Sequence, residues 1–474
     1  MLNLHLKKQG GIGKTYSYTM SYISFMKYTK KELQSKKDYK KAPFSDVHWR
    51  VYISILLGQI ACGYALGISG IALDQAGSYL PLTNFWTGLI GAGGLIGLFG
   101  SIFMGRLADK VGRKGLLMLN MYIFTILSLA HLFVTNLFLI FLLRLGLGLM
   151  MAIDYTVGNA LLIEWLPTGE SGKKQSRLLI YWSIGFILAY LIGSYLGGFS
   201  QGWKYSFTSS FIFGLIAAIF RSFAKIPASP SWLASRGKNA KVQKVIQRNL
   251  GSKWGLSERL LSIKVKNISW LHLFSKKYRR QTLVGGLFYA SQAFSFFGIS
   301  IFLPILLKSM GVTNANMSGI LYNGSMLIGV VIGIWIFNKI SRRSFLVVSF
   351  LSSAIALAAM VFLDISLWAK LGIFSLFSVI LSSSLVLDYP YPSELFDVKV
   401  RATGMGICIA ISRIGAACGT FLLPILTDMG GSQLAMLVCA LVLFIGSMIC
   451  LVWAPETSPK FMKKNEILEN EVTE

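Results

Sequence analysis

The sequence predicts an all-α membrane protein with twelve transmembrane helices, arranged as two pseudo-symmetric bundles of six. Of its 474 residues, 54% are hydrophobic and only 14% are charged, whereas about a quarter of the residues of a soluble domain are charged. The apolar residues form stretches of about 20 or more, enough for a helix to cross a bilayer. Two loops at matching positions of the two halves also repeat one pattern of charges, which divides the chain six and six.

Hydropathy places the spans in order along the chain, with polar or basic loops between them. The predicted spans are residues 51–74, 84–104, 115–135, 137–163, 178–199, 205–224, 282–307, 314–337, 344–363, 368–392, 403–427 and 432–453. The predicted regions are a basic N-terminal tail (1–50), a first bundle (51–224), a basic central loop (225–281), a second bundle (282–453) and a C-terminal tail (454–474). The even number of spans puts both tails on one side of the membrane.

Charge predicts which side that is. Forty of the 46 Lys and Arg residues lie in the tails and in the loops on their side, and the loops on the other side contain only Lys204, Lys308 and Lys370. The positive-inside rule therefore predicts cytosolic termini in a plasma or inner membrane. The net charge of +27 is then explained by topology and by the anionic lipid bilayer, and no nucleic-acid partner is expected.

The first 50 residues lack an apolar segment, so we expect a cytosolic tail and no signal peptide. Met1, Met20 and Met26 are all candidates for the start. Residues 10–15 (GGIGKT) look like part of a phosphate-binding loop, but Lys8 stands where that pattern needs a glycine, and no nucleotide binding is expected. All five cysteines lie in apolar stretches without CxxC spacing, which predicts packing roles and neither a disulfide, a metal site nor a cofactor.

The repeated loops favour one functional class. The loop 108–114 (ADKVGRK) aligns with 337–343 (FNKISRR), so that Asp109 matches Asn338 and the basic pair is kept. Internal repeats of this kind are typical of secondary transporters, which bind substrate between the two halves. The sequence therefore predicts a small-molecule substrate and no enzymatic activity, since the spans contain no nucleophile–base pair or metal cluster.

Five motifs follow one another at the ends of the predicted spans. They are 105–114 (GRLADKVGRK), 144–167 (from RLGLG through DY to EWLP), 227–233 (PASPSWL), 391–404 (from YPSELF to RATG) and 455–457 (PET). In this order they resemble the major facilitator superfamily, in particular its sugar-porter and metabolite:proton symporter branches. The resemblance runs from about residue 50 to residue 458 and implies alternating access between two bundles, often driven by protons.

Three departures from those branches weigh against a sugar as substrate. Ala65 follows Gly63 and Tyr64, where sugar–proton symporters resembling this chain have an acidic residue that binds the proton. Gln292 stands alone in the seventh span, where sugar porters have paired glutamines. The Arg-Gly pair usual after the fourth span is replaced by 172–174 (GKK).

Charged residues within the spans are the candidate substrate and proton sites, because each needs a partner, a cavity or a function at bilayer depth. Asp154, beside Tyr155, is either a proton or substrate site or a structural ion pair. Asp388 precedes two prolines that should bend the tenth span, and it is either part of the site or a cytosolic gate. Arg413 and Arg144 could each hold an anion or pair with a neighbouring acid.

His131 lies near the outer end of its span and is more typical of a satisfied interfacial residue than of a proton shuttle. The loop after the second span is interpreted as a gate, with the alternative that its basic residues only fix topology. The gate prediction comprises Gly105, Asp109, Gly112, Arg113 and Lys114, with Glu164, Glu394 and Arg401 as partners.

The predicted function is proton-coupled secondary transport of a small polar metabolite by a monomer. An organic anion is favoured over a sugar because of Arg413 and the missing glutamines, and inorganic phosphate is a further candidate. Two rivals remain open: an uncoupled facilitator, which Ala65 would suit, and a solute sensor of the same fold.

Overall fold

The computed structural model describes residues 36–256, 270–312, 315–397, 400–458 and 460–462. Two predictions lie outside these residues: the phosphate-loop-like segment 10–15 and the candidate starts. The described chain is almost entirely helical, as the hydropathy pattern predicts.

The first bundle contains six helical spans, and the fourth of them is made of three consecutive segments. Its helices are Asp46–Ala76, Asn84–Phe99 with Ser101–Val111, Arg113–Ala130 followed by the 3₁₀ turn His131–Phe133, Leu137–Ile153 continued by the π-helix Asp154–Gly158 and by Asn159–Trp165, Ser171–Leu196, and Gly202–Phe223.

The second bundle repeats this order. Its helices are Arg279–Ile301 with Leu303–Ser309, Ala315–Ile336, Arg342–Phe362, Leu367–Ser384 continued by the 3₁₀ turn Leu385–Leu387 and by Pro390–Leu395, and Arg401–Trp453. The last helix contains the eleventh and twelfth spans, because Gly430 and Gly431 break it. Gly431 has a φ of 68°, a conformation that residues with a Cβ rarely adopt.

The number of spans agrees with the prediction. Ten helices among the described residues are long and apolar enough to cross a membrane, and the pair Asn84–Phe99 and Phe103–Val111, bent by 43°, makes eleven. Dividing the last helix at its two glycines gives twelve. The all-α fold of two six-helix bundles is therefore confirmed.

The fourth and tenth spans are both interrupted near their middle. A π-helix over Asp154–Gly158 interrupts the fourth, and such turns are often found at functional sites. The tenth changes to a 3₁₀ turn before Pro390, whose ring cannot continue the hydrogen-bond ladder. Tyr155 lies within the first interruption and Asp388 ends the 3₁₀ turn of the second.

A short segment before the first span, residues 36–42, attaches to the central segment, and we call it the N-terminal clip. Strand β1 (Lys37–Asp38) pairs in parallel with strand β2 (Trp254–Gly255). Tyr39 is fully buried against Trp165, with ring centroids 6.1 Å apart. Burial raises the pKa of the Tyr39 phenol, and the nearby carboxylates raise it further.

The side chain of Lys40 completes the clip. Its Nζ donates hydrogen bonds to the carbonyls of Ile163 and Leu166, the latter at 3.2 Å. A cation at the carboxyl end of a helix complements the helix dipole. The clip therefore fastens the end of the fourth span to the central segment, which also carries the helices Pro230–Ser235 and Asn239–Leu250.

Among the described residues, the two bundles pack most tightly toward one face. We call the face that carries the clip, the central segment and residues 454–462 the terminal face, and the other the opposite face. At the opposite face, Gly70 of the first span lies directly against the carbonyl of Ile301, and Gly88 lies against the carbonyl of Phe421. The carboxylate of Asp74 also accepts from Lys308 Nζ at 2.6 and 2.8 Å.

Candidate transport site

A cavity of about 300 Å³ lies between the two bundles and opens at the terminal face. Its mouth is lined by the start of the fifth span and by the terminal-face ends of the eighth and tenth spans. The mouth residues include Gly172, Gln175, Ser176, Phe337 and Glu394. Since the opposite face is closed, the structure is open to the terminal side alone.

Aromatic side chains form the inner end of the cavity. Trp182 of the first bundle lies 5.9 Å from Phe296 and 6.2 Å from Phe297 of the second, measured between ring centroids. These rings also contact each other across the bundle interface, so they separate the cavity from the closed opposite face. Rings of this kind supply a large apolar contact surface for a ligand.

Arg413 is the cation of the cavity. It lines the wall and is 7% exposed. Its guanidinium lies 5.7 Å from the ring centroid of Tyr155. The Tyr155 hydroxyl accepts a hydrogen bond of 2.6 Å from Trp182 Nε1. No described residue accepts a hydrogen bond from Arg413 or forms an ion pair with it, although Asp388, Tyr289 and Tyr389 lie near enough to interact with its charge.

Asp388 lines the same cavity beside the interrupted helix. Its Oδ1 atom is buried and has no hydrogen-bond partner among the described residues. An ionised carboxylate is costly in that position unless a cation approaches it. Asp388 and Arg413 thus present opposite charges to one cavity without forming an ion pair with each other.

The remaining polar lining was not predicted from sequence. Gln59, Asn159 and Tyr289 all line the cavity, and Trp182 forms its inner end. The sequence does not distinguish these residues, because uncharged Gln, Asn and Tyr cost little free energy in a transmembrane helix and occur on many helix faces. Helical spacing relative to Tyr155 is the signal that could have indicated Asn159, four residues later.

Asp154 does not line the cavity. It is fully buried inside the first bundle and forms an ion pair with Arg221, whose Nη1 also lies 3.3 Å from Asp154 Oδ2. Asn120 Nδ2 donates to the same oxygen at 2.7 Å. Arg221 donates further to the carbonyls of Ser54 and Leu117 at 3.0 Å each.

This network agrees with the ion-pair interpretation of Asp154, because each charged group in it has a partner. Arg221 lies in the last turn of its helix, Gly202–Phe223, but its side chain is fully buried. That position could have been inferred only from the helix contacts.

Arg144 also lies away from the cavity. It is fully buried in the first bundle, where it donates to the carbonyl of Ala65 at 2.9 Å and to the hydroxyl of Ser69. Of the two alternatives for Arg144, the pairing with an acid is not seen: none of the carboxylates in the described residues forms an ion pair with it.

The predicted gate loop forms a network within the first bundle. Arg113 forms an ion pair with Glu164 and lies 3.6 Å from Asp109. Ser229 of the central segment also donates to Glu164. Gly112 has a φ of 108° and faces the Trp232 ring, which leaves little room for a side chain. Lys114 and Gly105 form none of the hydrogen bonds or ion pairs of this network among the described residues.

A second network joins the corresponding residues of the second bundle. Glu394 accepts from the Thr457 hydroxyl at 2.5 Å and lies 3.6 Å from Arg342 Nε. Glu456 accepts from the hydroxyl of Ser341 and from the backbone N–H of Arg342 at 3.1 Å. Glu394 therefore pairs within its own half and not with the first gate loop.

Arg401 does not join either network. Its Nε donates to the carbonyl of Phe396 at 3.3 Å. Of the ion pairs formed by described residues, the one that joins the two bundles is Asp74–Lys308 at the opposite face. The two networks at the terminal face thus lie apart while the cavity is open there.

Comparison with known proteins matches the chain to one protein family and to curated relatives. The model of the family described as sugar (and other) transporters matches residues 15–467. The inner membrane metabolite transport protein YgcS of Escherichia coli is 30% identical over 417 residues, which cover 88% of this chain and 93% of the relative. The putative metabolite transport protein YaaU of the same organism is 27% identical, covering 90% and 96%.

The fold also matches solved structures. The partially occluded inward-open structure of the xylose transporter XylE from E. coli superposes with a TM-score of 0.74 at 17% identity, covering 87% of this chain and 99% of that chain. At this level of identity the likeness establishes the fold, and the two-bundle architecture described above agrees with it.

Proposed function

Because this chain belongs to the sugar (and other) transporter family and has the fold of the major facilitator superfamily, we propose that it is a proton-coupled transporter of a small organic anion. The family establishes a multi-pass membrane transporter of a small molecule. The anion and the proton are inferred from the cavity, and the observation that carries the proposal is the unpartnered guanidinium of Arg413 within it.

The anion is inferred from what Arg413 lacks. A guanidinium without a protein acceptor, in a cavity that opens to solvent, matches a carboxylate with two parallel hydrogen bonds. The lining combines the rings of Trp182, Phe296 and Phe297 with side chains that both donate and accept hydrogen bonds, as a sugar requires, among them Gln59, Asn159 and Tyr289. The charge of Arg413, and not the rest of the lining, is therefore what favours an organic anion over a sugar.

The proton is assigned to Asp388, because Asp154 is already neutralised by Arg221. Asp388 shares the cavity with Arg413, and its buried oxygen has no partner. Protonation removes the cost of that unpaired charge when the substrate anion occupies Arg413. Release of the anion frees Arg413 to stabilise the ionised carboxylate, which couples the two events.

The open terminal face and the closed opposite face support an alternating-access mechanism. The positive-inside bias supports a cytosolic terminal face, so the structure corresponds to a state open to the cytosol. Closing that face would bring the Arg113–Glu164 and Arg342–Glu394 networks together, while separation of Asp74 from Lys308 would open the other face. This rocking of two bundles about a central site is the expected mechanism for such folds.

Purified protein in proteoliposomes tests the proposal. We expect uptake of one class of labelled organic acid, with alkalinisation of the outside medium, and none of labelled hexose or phosphate. Arg413→Gln should reduce uptake by roughly 30-fold or more, since removal of a buried charged partner costs about 2–5 kcal/mol. Arg413→Lys keeps the charge but loses the bidentate geometry, so its uptake should lie between that of the wild type and that of Arg413→Gln.

Asp388→Asn separates proton coupling from transport. It should abolish accumulation driven by a pH gradient while leaving anion exchange in place. Transport without any proton movement in the wild-type protein would establish the uncoupled facilitator instead. Binding of the organic acid without flux would establish the sensor, and hexose uptake that survives Arg413→Gln would contradict the anion assignment.

A further inference from the structure

Lys40 of the N-terminal clip holds the end of the fourth span by three hydrogen bonds. Its Nζ atom donates to the carbonyls of Ile163 and Leu166, and its carbonyl accepts from the N–H of Thr168 at 2.9 Å. The last carbonyls of a helix have no partners within that helix, so Lys40 satisfies two groups that the span itself leaves open. The three contacts lie on both sides of Glu164.

The side chain of Glu164 is held separately. It forms an ion pair with Arg113 and accepts a hydrogen bond from the hydroxyl of Ser229. The ammonium of Lys40 adds a third interaction, because burial lowers the pKa of Lys40 and the charge of Glu164 opposes that shift. Lys40 therefore acts on Glu164 in two ways: it fixes the backbone on either side, and it places a positive charge near the carboxylate.

The clip is itself anchored to the central segment. Strand β1 pairs with strand β2, and Tyr39 belongs to one apolar cluster with Leu233, Val242 and Ile246. The Tyr39 ring also contacts the ring of Trp165, which directly follows Glu164 in the chain. The clip therefore fixes the end of the fourth span relative to the central segment.

The second bundle has a counterpart to this arrangement. Glu394, near the end of the tenth span, accepts from the Thr457 hydroxyl at 2.5 Å, and the Tyr391 hydroxyl donates to the carbonyl of Pro455 at 3.0 Å. Each of the two networks at the terminal face is thus contacted by chain outside the spans, before the first span in one half and after the last span in the other. The recurrence in both halves supports a role in the movement that the halves share.

We propose that Lys40 is a positioning residue for transport, which holds Glu164 where the Arg113–Glu164 network can meet the Arg342–Glu394 network as the terminal face closes. This inference rests on the alternating access proposed above. Lys40 does not line the cavity, so it acts through Glu164 and not on the substrate. Without the side-chain donor of Lys40, the end of the fourth span is held less firmly and the closed terminal face is less stable.

Spin labels at Lys173 and Ile340, exposed positions on the two bundles at the terminal face, measure its closure without any substrate, in a background without reactive cysteine. Lys40→Met removes the donor but keeps a long side chain. We expect the ratio of closed to open terminal face to fall by about 2- to 5-fold, as for the loss of a cation at a helix end. Lys40→Arg keeps a donor and should recover most of the ratio. Lys41→Met is the matched control, because Lys41 is exposed and its side chain forms no hydrogen bond or ion pair among the described residues.

A second background, Glu164→Gln, separates positioning from a purely structural role. If Lys40 acts through Glu164, Lys40→Met should change the closed-to-open ratio little once Glu164 is replaced, since two changes in one network are not additive. Additive effects in the two backgrounds, or a lower midpoint of thermal unfolding with an unchanged ratio, would mean that Lys40 only stabilises the fold, and the inference would be wrong. The expected ratios in a protein that moves no organic acid would contradict the proposed substrate and leave the role of Lys40 in place.

Discussion

Two buried arginines of the first bundle have different kinds of partner. Arg221 has a carboxylate within its own bundle, whereas Arg144 has only a carbonyl and a hydroxyl. Sequence reasoning finds Arg144, because a charge within an apolar stretch is conspicuous, whereas Arg221 lies near the end of its span. It cannot pair them, because the pairing depends on which face of each span points to its neighbour.

The Asp154–Arg221 pair predicts a stability defect when one charge is removed. Asp154→Asn leaves Arg221 buried and uncompensated, which should cost about 3–5 kcal/mol of folding free energy. The double variant with Asp154→Leu and Arg221→Met removes both charges and should recover most of the loss. Thermal unfolding in detergent measures both. Normal stability of Asp154→Asn with loss of gradient-driven uptake would restore Asp154 as a proton site.

Glu456 makes folding stability dependent on pH. Burial raises the pKa of this carboxyl, but hydrogen bonds from Ser341 and from three backbone N–H groups outweigh it, so the pKa is lowered overall. The carboxylate therefore stabilises the folded state fully above the ordinary glutamate pKa. That contribution is lost as the pH falls through the lowered folded value.

Glu456→Gln should therefore reduce stability at neutral pH by about 1 kcal/mol, as expected for the loss of a helix cap, and should flatten the acid side of the profile. Unfolding midpoints between pH 3 and pH 7 measure the effect. The surface variant Asp364→Asn serves as control. A profile for Glu456→Gln that is parallel to the wild type would show that other carboxylates dominate.

The interruptions of the fourth and tenth spans show how far sequence predicts an element. Pro390 and Pro392 predict a bend in the tenth span, and the structure has a 3₁₀ turn there. The π-helix of the fourth span has no proline or glycine pair to indicate it. It arises from packing, and it places Asp154 in the bundle interior while the next residue, Tyr155, faces the cavity.

Helix contact at the opposite face predicts the behaviour of one glycine. A Cβ at position 70 would collide with the backbone carbonyl of Ile301, and backbone cannot rotate away as a side chain can. Gly70→Ala should therefore disfavour closure of the opposite face. Gly324→Ala is the matched control, because nothing lies within 4 Å of its Cβ position.

Spin labels at the exposed positions Tyr79 and Ser366, one on each bundle, measure that closure. Gly70→Ala should lengthen the distance distribution relative to Gly324→Ala in a background without reactive cysteine. An unchanged distribution would mean that the first span adjusts locally and that Gly70 does not control the interface.

On the scale of the whole molecule, the Asp74–Lys308 ion pair holds the two bundles together at the opposite face. Lys308 is 57% exposed at its side chain, and exposed pairs contribute about 0.2–1 kcal/mol. Lys308→Met should therefore shift the population toward opening of the opposite face by about 1.5- to 5-fold. The same label pair reports the shift, and exchanging the two charges in Asp74→Lys with Lys308→Asp should reverse it. If the exchanged pair does not restore the wild-type distance distribution, the effect of Lys308→Met is due to packing and not to charge.

The whole-molecule features are the ones that sequence predicts best. Hydropathy predicts twelve spans and the repeated loop predicts their division, because both depend on many residues at once. The inner end of the cavity at Trp182, Phe296 and Phe297 was not predicted, since aromatic residues are common throughout the spans. Which rings meet across two bundles is decided by tertiary contacts that no local pattern records.

The N-terminal clip constrains the order in which the protein can be made. Strand β1 precedes the first span, but its partner β2 follows the sixth, so the ribosome must deliver the whole first bundle before the clip can close. Once it closes, the end of the fourth span is fastened by contacts that lie entirely within the first half. The first bundle can therefore be completed and locked while the second is still being translated, in keeping with domain-by-domain folding during synthesis.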